Sequence, residues 1–225
     1  MTVILVILTF VAFALIDLAL KRSKQSRVVA VAAHIPAVSP AEPSVAYVDG
    51  FAVPDRMRYH PGHAWALIER KQVHRIGIDE FAACLAGSIQ KIELPKPGQW
   101  LRQGQKAWSI ERSGARSEMV SPVEGEVLQI NEDVLKNPAL LTSDPYGKGW
   151  LMTVHVPDEE NTFRNLVPTR MVSLWMRNAV ESLYALQPRL AGATAADGGR
   201  PSHDMSDTLG NEDWEKITRE FFLTC

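Results

Sequence analysis

The apolar positions change their rhythm several times along the chain, and the first segment is the simplest. From Val3 to Leu20 (VILVILTFVAFALIDLAL) almost every residue is hydrophobic. At about 1.5 Å of rise per residue, a helix over that run is roughly 27 Å long, close to the hydrocarbon thickness of a bilayer. Asp17 is its one costly residue and falls near the far end, toward the headgroups. No basic residue precedes the run, whereas Lys21, Arg22, Lys24 and Arg27 follow it at once. That order fits an uncleaved anchor better than a signal peptide, and it places the downstream residues on the cytoplasmic side. Residues 1–20 are thus expected to be a single-pass transmembrane helix in the cytoplasmic membrane, touching lipid through residues 3–20. In residues 21–46, basic and Pro/Ala-rich, Pro36, Pro40 and Pro43 forbid a continuous helix and predict an extended tether.

Between residues 47 and 160 the apolar runs become short and β-like: HAWALIE, VHRIGI, SIQKIEL, KAWSIERS, EMVSPVEGEVLQI and WLMTVHV. Gly, Pro and Asn punctuate them, as in KPGQW, VEGEV and DPYGKG, which predicts a small β-sandwich or barrel. One interruption, DEFAACLAG, is led by Asp79 and closed by Gly87, the chemistry of a helix of one or two turns with a cap at each end. Over residues 161–190 the period becomes helical. Thr169 is the expected cap, and Val172, Trp175, Ala179, Leu183 and Leu186 form a stripe that has to be buried, most simply against the β domain. Residues 191–208 read as a flexible linker. In residues 209–225 a short helix should begin near Asn211, where Glu212 and Asp213 suit the positive end of the helix dipole and Trp214, Ile217 and Phe221 make one apolar face. Too short to be stable alone, it should dock on something.

Composition narrows the function classes. A chain of 225 residues, 46% hydrophobic and 22% charged, suffices for one ordinary domain with flanking pieces. A formal charge of -2 gives no basic field for nucleic acid. Cys84 and Cys225 are too few for a disulfide framework or a zinc site, and the terminal position of Cys225 excludes a prenylation box. His60, His63 and His74 lack a carboxylate or cysteine at ligand spacing, so no metal site is expected. Ser113 has no histidine and acid partner at motif spacing, so no catalytic residue is assigned and no enzyme activity is expected. DPYGKG matches neither phosphate-binding glycine pattern and reads as a turn. The six tryptophans are expected to anchor the core and helix faces.

Four separated stretches then fall into one pattern. YHPGHAWALI, with His63 and Trp65, GIDEFAACLAGSIQKIELPKPG, SIERSGARSEMVSPVEGEVLQIN and NPALLTSDPYGKGWLM together resemble the H protein of the glycine cleavage system, in order and at nearly the same spacing. The resemblance runs from Tyr59 to Val156. It implies a mainly β barrel-sandwich hybrid, the fold of lipoyl and biotinyl domains. It also implies a carrier whose hairpin lysine is acylated by lipoic acid and shuttles an aminomethyl group between separate enzymes.

The hairpin is where this chain departs from the family. The family reads Glu-Ser-x-Lys shortly before Ser-Pro-x-x-Gly-Glu-Val. Here Glu111, Arg112, Ser113 and Gly114, followed by Ala115 and Arg116, precede Ser121, Pro122, Gly125, Glu126 and Val127. The lysine position is Gly114, and no lysine lies from Ala107 through Leu135. Arginine cannot substitute, because its guanidinium stays protonated; Lys106 belongs to the preceding strand and Lys136 lies far beyond. Gly114 suits a tight turn of positive φ. The resulting expectation is a non-lipoylated interaction or scaffold module with no cofactor, its partners unidentified proteins, with glycine cleavage or lipoate-related enzymes as candidates. The alternative is a working carrier component of glycine cleavage.

Overall fold

A computed structural model describes residues 44–187 and 209–224. The apolar run 3–20, the basic cluster, the tether up to residue 43, the linker 191–208 and Cys225 lie outside the described residues.

The described chain is mainly β. The two-residue turn Asp49–Gly50 folds β1 (Val45–Val48) onto β2 (Phe51–Pro54) as a two-stranded sheet. Six antiparallel strands make the main sheet: β3 (Arg58–Tyr59), β4 (Ala64–Arg70), β5 (Val73–Ile78), β7 (Trp100–Leu101), β10 (Gly125–Ile130) and β11 (Met152–His155), in the order β3-β4-β5-β11-β10-β7. A third sheet has the order β6-β8-β9, from β6 (Lys91–Glu93), β8 (Lys106–Arg112) and β9 (Ala115–Val120). EMVSPVEGEVLQI therefore divides between two sheets. Ser121 makes the break, its hydroxyl donating to the Val123 carbonyl at 2.7 Å.

The central strand β5 does not alternate: five of its six residues are buried. Its second face is covered by α4 (Glu159–Arg164), whose Phe163 ring lies 5.4 Å from the His74 ring. Buried His74 is held at 2.9 Å by the Glu159 carboxylate, which also accepts from the Gln72 amide. The pairing with His74, followed by that amide, holds Glu159 below the usual carboxylate range.

Helix α1 (Glu80–Ala86) follows from local chemistry. Asp79 accepts from the Ala82 amide at 2.8 Å, and Gly87 closes the helix at φ +64°. The other Asp79 oxygen meets His63 Nδ1 at 2.8 Å. The His63 ring stacks between Phe81 and Trp175, 4.3 and 4.6 Å away, with Phe221 edge-on at 6.1 Å. Tyr146, in the DPYGKG turn, donates to the Ala52 carbonyl and accepts from the Glu80 amide, tying β2 to α1. No group of His, Cys, Asp or Glu suited to hold a metal occurs among the described residues.

The helical stripe near residue 170 needs correcting in detail. Residues Thr169–Met171 form a 3-10 turn, and Thr169 caps nothing: its hydroxyl accepts from the Arg58 guanidinium at 2.6 Å. Helix α5 (Val172–Leu186) buries Val172, Met176, Ala179, Val180 and Leu183. Leu186, the last residue of the helix, is exposed. Two short helices, α2 (Glu132–Lys136) and α3 (Leu140–Ser143), fill the connection from β10 to β11. The tryptophans divide: Trp65, Trp108 and Trp214 are buried, whereas Trp100 is 49% exposed on the two-residue edge strand β7. No helix of the described residues is long and apolar enough to cross a membrane.

Two expected outcomes follow from this core. Trp65 lies against Gly77, where a Cβ would come within 2.3 Å of the indole, while its Nε1 is fixed to the Ile78 carbonyl at 2.7 Å. Gly77→Ala should therefore lower the unfolding free energy by about 1–3 kcal/mol, measured from urea midpoints. The second outcome concerns His60, whose Nδ1 accepts from the Gly62 amide at 3.0 Å. Burial, with His63 beside it, pushes this imidazole down to about 4. The folded state thus binds His60's proton less readily than the unfolded chain, which takes it up near pH 6.5. Its contribution should be fully present above pH 6.5 and lost as the pH falls toward 4. His60→Asn, which keeps an acceptor for Gly62, should flatten that part of the profile of midpoint against pH.

Candidate functional site

The hairpin of β8 and β9 is the site the sequence singles out. Register pairs Glu111 with Arg116 and Arg112 with Ala115, leaving Ser113 and Gly114 as a two-residue connection. Their φ values, +49° and +82°, are those of the turn whose twist matches a right-handed strand pair. Ser113 bears a side chain at positive φ, a conformation uncommon outside glycine. Its backbone is tied on both sides: its amide donates to the Gln90 side chain, and its carbonyl accepts from the Asn211 amide group, each at 3.0 Å. Both tip residues are exposed, and a Cβ on Gly114 would meet nothing within 4 Å.

The side chains flanking the tip are ionic but cannot all reach it. Arg112 is buried, with its guanidinium 5.9 Å from the Trp214 ring centroid. Arg116 lies outward and pairs with Glu93 at 3.0 Å, and Glu93 also holds Lys91 at 2.7 Å. The Lys91 and Arg116 charges keep Glu93 below the ordinary carboxylate range, and the same contact raises Lys91. Lys106, at the opposite end of β8, pairs with Glu118. The tip itself carries a hydroxyl and a hydrogen, neither of which acts as a nucleophile without a base. No histidine or carboxylate pairs with the Ser113 side chain in the described geometry. Lys136 pairs with Glu132 on α2.

Helix α6 (Asn211–Phe221) was legible as an amphipathic element, but its destination was not. It packs beside β9. The Trp214 indole donates to the Leu85 carbonyl at 2.9 Å, 129 residues away in sequence, and Phe221 packs edge-on to Phe81 at 5.2 Å. Glu215 accepts from the Arg116 amide at 3.4 Å. The signal that could have pointed here is the pairing of Asn211 and Glu215 on one helix face with an edge strand rich in charge; sequence spacing alone does not bring them together.

Comparison with known proteins places this architecture. The family model described as Glycine cleavage H-protein matches residues 57–176. The chain is 38% identical over 109 residues to the glycine cleavage system H protein of Bifidobacterium longum, covering 48% of this chain and 78% of that protein. It is 35% identical over 116 residues to the H protein of Carboxydothermus hydrogenoformans, covering 52% and 88% respectively. A crystal structure of a glycine cleavage system H protein from Mycobacterium marinum aligns with a TM-score of 0.44 and 25% identity, over 47% of this chain and 87% of that one. These matches correct the expected location: the relatives are glycine cleavage system H proteins, and no described helix could cross a bilayer. A single-pass protein of the cytoplasmic membrane is not what the comparisons support. Matched over more than half its length, with a mainly β, lipoyl-domain-like fold and helices following it, the chain belongs to the glycine cleavage H-protein family.

Proposed function

We propose that this chain is a non-lipoylated H protein, an interaction or scaffold module that keeps the family's surface without its swinging arm. Members of the family are lipoyl carriers rather than enzymes in their own right, and this reading removes the carried group as well. The observation behind it is the Ser113–Gly114 turn. Lipoyl attachment needs a primary amine standing clear of the surface on a long side chain. When Ser-Pro-x-x-Gly-Glu-Val is laid on Ser121 to Val127, the family's lysine falls on Gly114. The nearby lysines, Lys91 and Lys106, lie in strands, with their ammonium groups facing Glu93 and Glu118. The hairpin retains its geometry because glycine suits the second turn position, and the geometry outlasts the chemistry.

Its partners on this reading are unidentified proteins, with glycine cleavage or lipoate-related enzymes as candidates that would dock away from the covered β9 side of the hairpin. The H-protein-like domain would be the part they recognise. Mass spectrometry of the protein purified from its own host should give the unmodified mass, and a lipoyl adduct on any residue would overturn the reading. Complementation addresses the carrier alternative: in a strain lacking its H protein, this chain should fail to restore growth that depends on glycine cleavage.

A further inference from the structure

Strand β9 is an edge of its sheet, and an uncovered edge offers backbone groups to any extended partner. Here the edge is covered near the tip. Helix α6 lies beside the hairpin and touches it at three places: Asn211 at the Ser113 carbonyl of the tip, Trp214 beneath the Arg112 guanidinium of β8, and, on β9 itself, Glu215 at the Arg116 amide. The inner face of the helix is sealed as well. Trp214 and Phe222 are completely buried, Ile217 and Phe221 nearly so, and the Trp214 indole is anchored to the end of α1. On the opposite flank β8 is paired with β6 over Lys91–Glu93, and at the turn itself the Gln90 side chain accepts from the Ser113 amide.

An enzyme that acylates a hairpin tip has to close around it, since the amine must enter its active site while the flanking strands are held. The β8 flank is filled by β6 of the same sheet, and the β9 flank by helix α6. We infer that α6 is a cap in cis that closes the β9 side of the hairpin to protein partners, the lipoate-attaching enzyme among them. The inference rests on the proposed reading of the hairpin as the family's modification site. It adds that the missing lysine is not the only block: restoring the amine alone does not restore modification. The apparent rate of a partner that needs α6 released falls in proportion to the released fraction.

The test uses the full-length chain. Gly114→Lys supplies the amine, and Gly114→Lys with Glu215→Pro supplies it while breaking α6, because proline in a helix interior removes a hydrogen bond and costs about 3 kcal/mol. Each is incubated with a lipoate-attaching ligase, lipoic acid and ATP. The ligase joins the lipoate carboxylate to the α-phosphate of ATP, breaking the α–β phosphoanhydride bond and releasing pyrophosphate; the lysine amine then attacks the acyl carbon of lipoyl-AMP, the amide C–N bond forms, the acyl C–O bond to phosphate breaks, AMP leaves and the amine proton passes to solvent. The single variant should be acylated at least about tenfold more slowly than the double variant, whose β structure is checked by circular dichroism. Equal rates overturn the inference, as does an intact double variant that stays unmodified. Should the proline variant misfold, Gly114→Lys with Asn211→Ala and Glu215→Ala removes both polar ties at exposed or half-exposed positions, and the same comparison decides. A lipoyl adduct on the natural chain would instead defeat the parent reading, so the two failures are distinct.

Discussion

The ring of His63 holds together pieces of chain that share no strand or helix. Its Nδ1 engages the carboxylate that starts α1, its two faces are covered by Phe81 and Trp175, and Phe221 closes its edge. The residue sits at φ +60° and is 1% exposed. A buried polar ring of this kind is tolerated only when its hydrogen-bonding atoms are engaged, and Asp79 answers that need while capping a helix with its other oxygen. Sheet, α1, α5 and α6 converge on one imidazole. The position of α6 over the hairpin is thus set from below by aromatic contacts and from the side by Asn211 and Glu215.

How much of this could be read from the residues depended on how local the cause was. Asp79 and Gly87 bracket a helix through contacts within three or four positions, so the helix was visible in the sequence. The tight turn at Gly114 was visible for the same reason, whereas the positive φ of Ser113 was not, because only the strand pairing on both sides requires it. Thr169 misled because a hydroxyl at a helix start can cap or can serve a distant donor, and Arg58 is that donor. Trp100 misled because size and apolarity say nothing about whether an edge strand is covered. Helices α2, α3 and α4 are too short to show a period. The stripe of Trp214, Ile217 and Phe221 announced a buried face, but its counterparts Leu85 and Phe81 lie 129 residues and more upstream, and no local rule reaches that far.

The family assignment and the proposed loss of the carried group draw on different parts of the molecule. Membership comes from the sequence shared over residues 57–176. The loss concerns one position on a turn whose φ of +82° favours glycine, so fold stability places no demand for an amine there. Geometry and chemistry can separate at such a tip because an exposed loop apex contributes little to packing.

The order in which the chain is made gives α6 a temporal meaning. The hairpin pairs residues close in sequence, whereas the Trp214 bond to Leu85 joins residues 129 apart. At ribosomal speeds, β9 leaves the exit tunnel roughly ten seconds before the residues that will shelter it. Until residues 211–221 emerge, the outward Arg116 amide therefore lacks the Glu215 carboxylate that it meets in the finished protein.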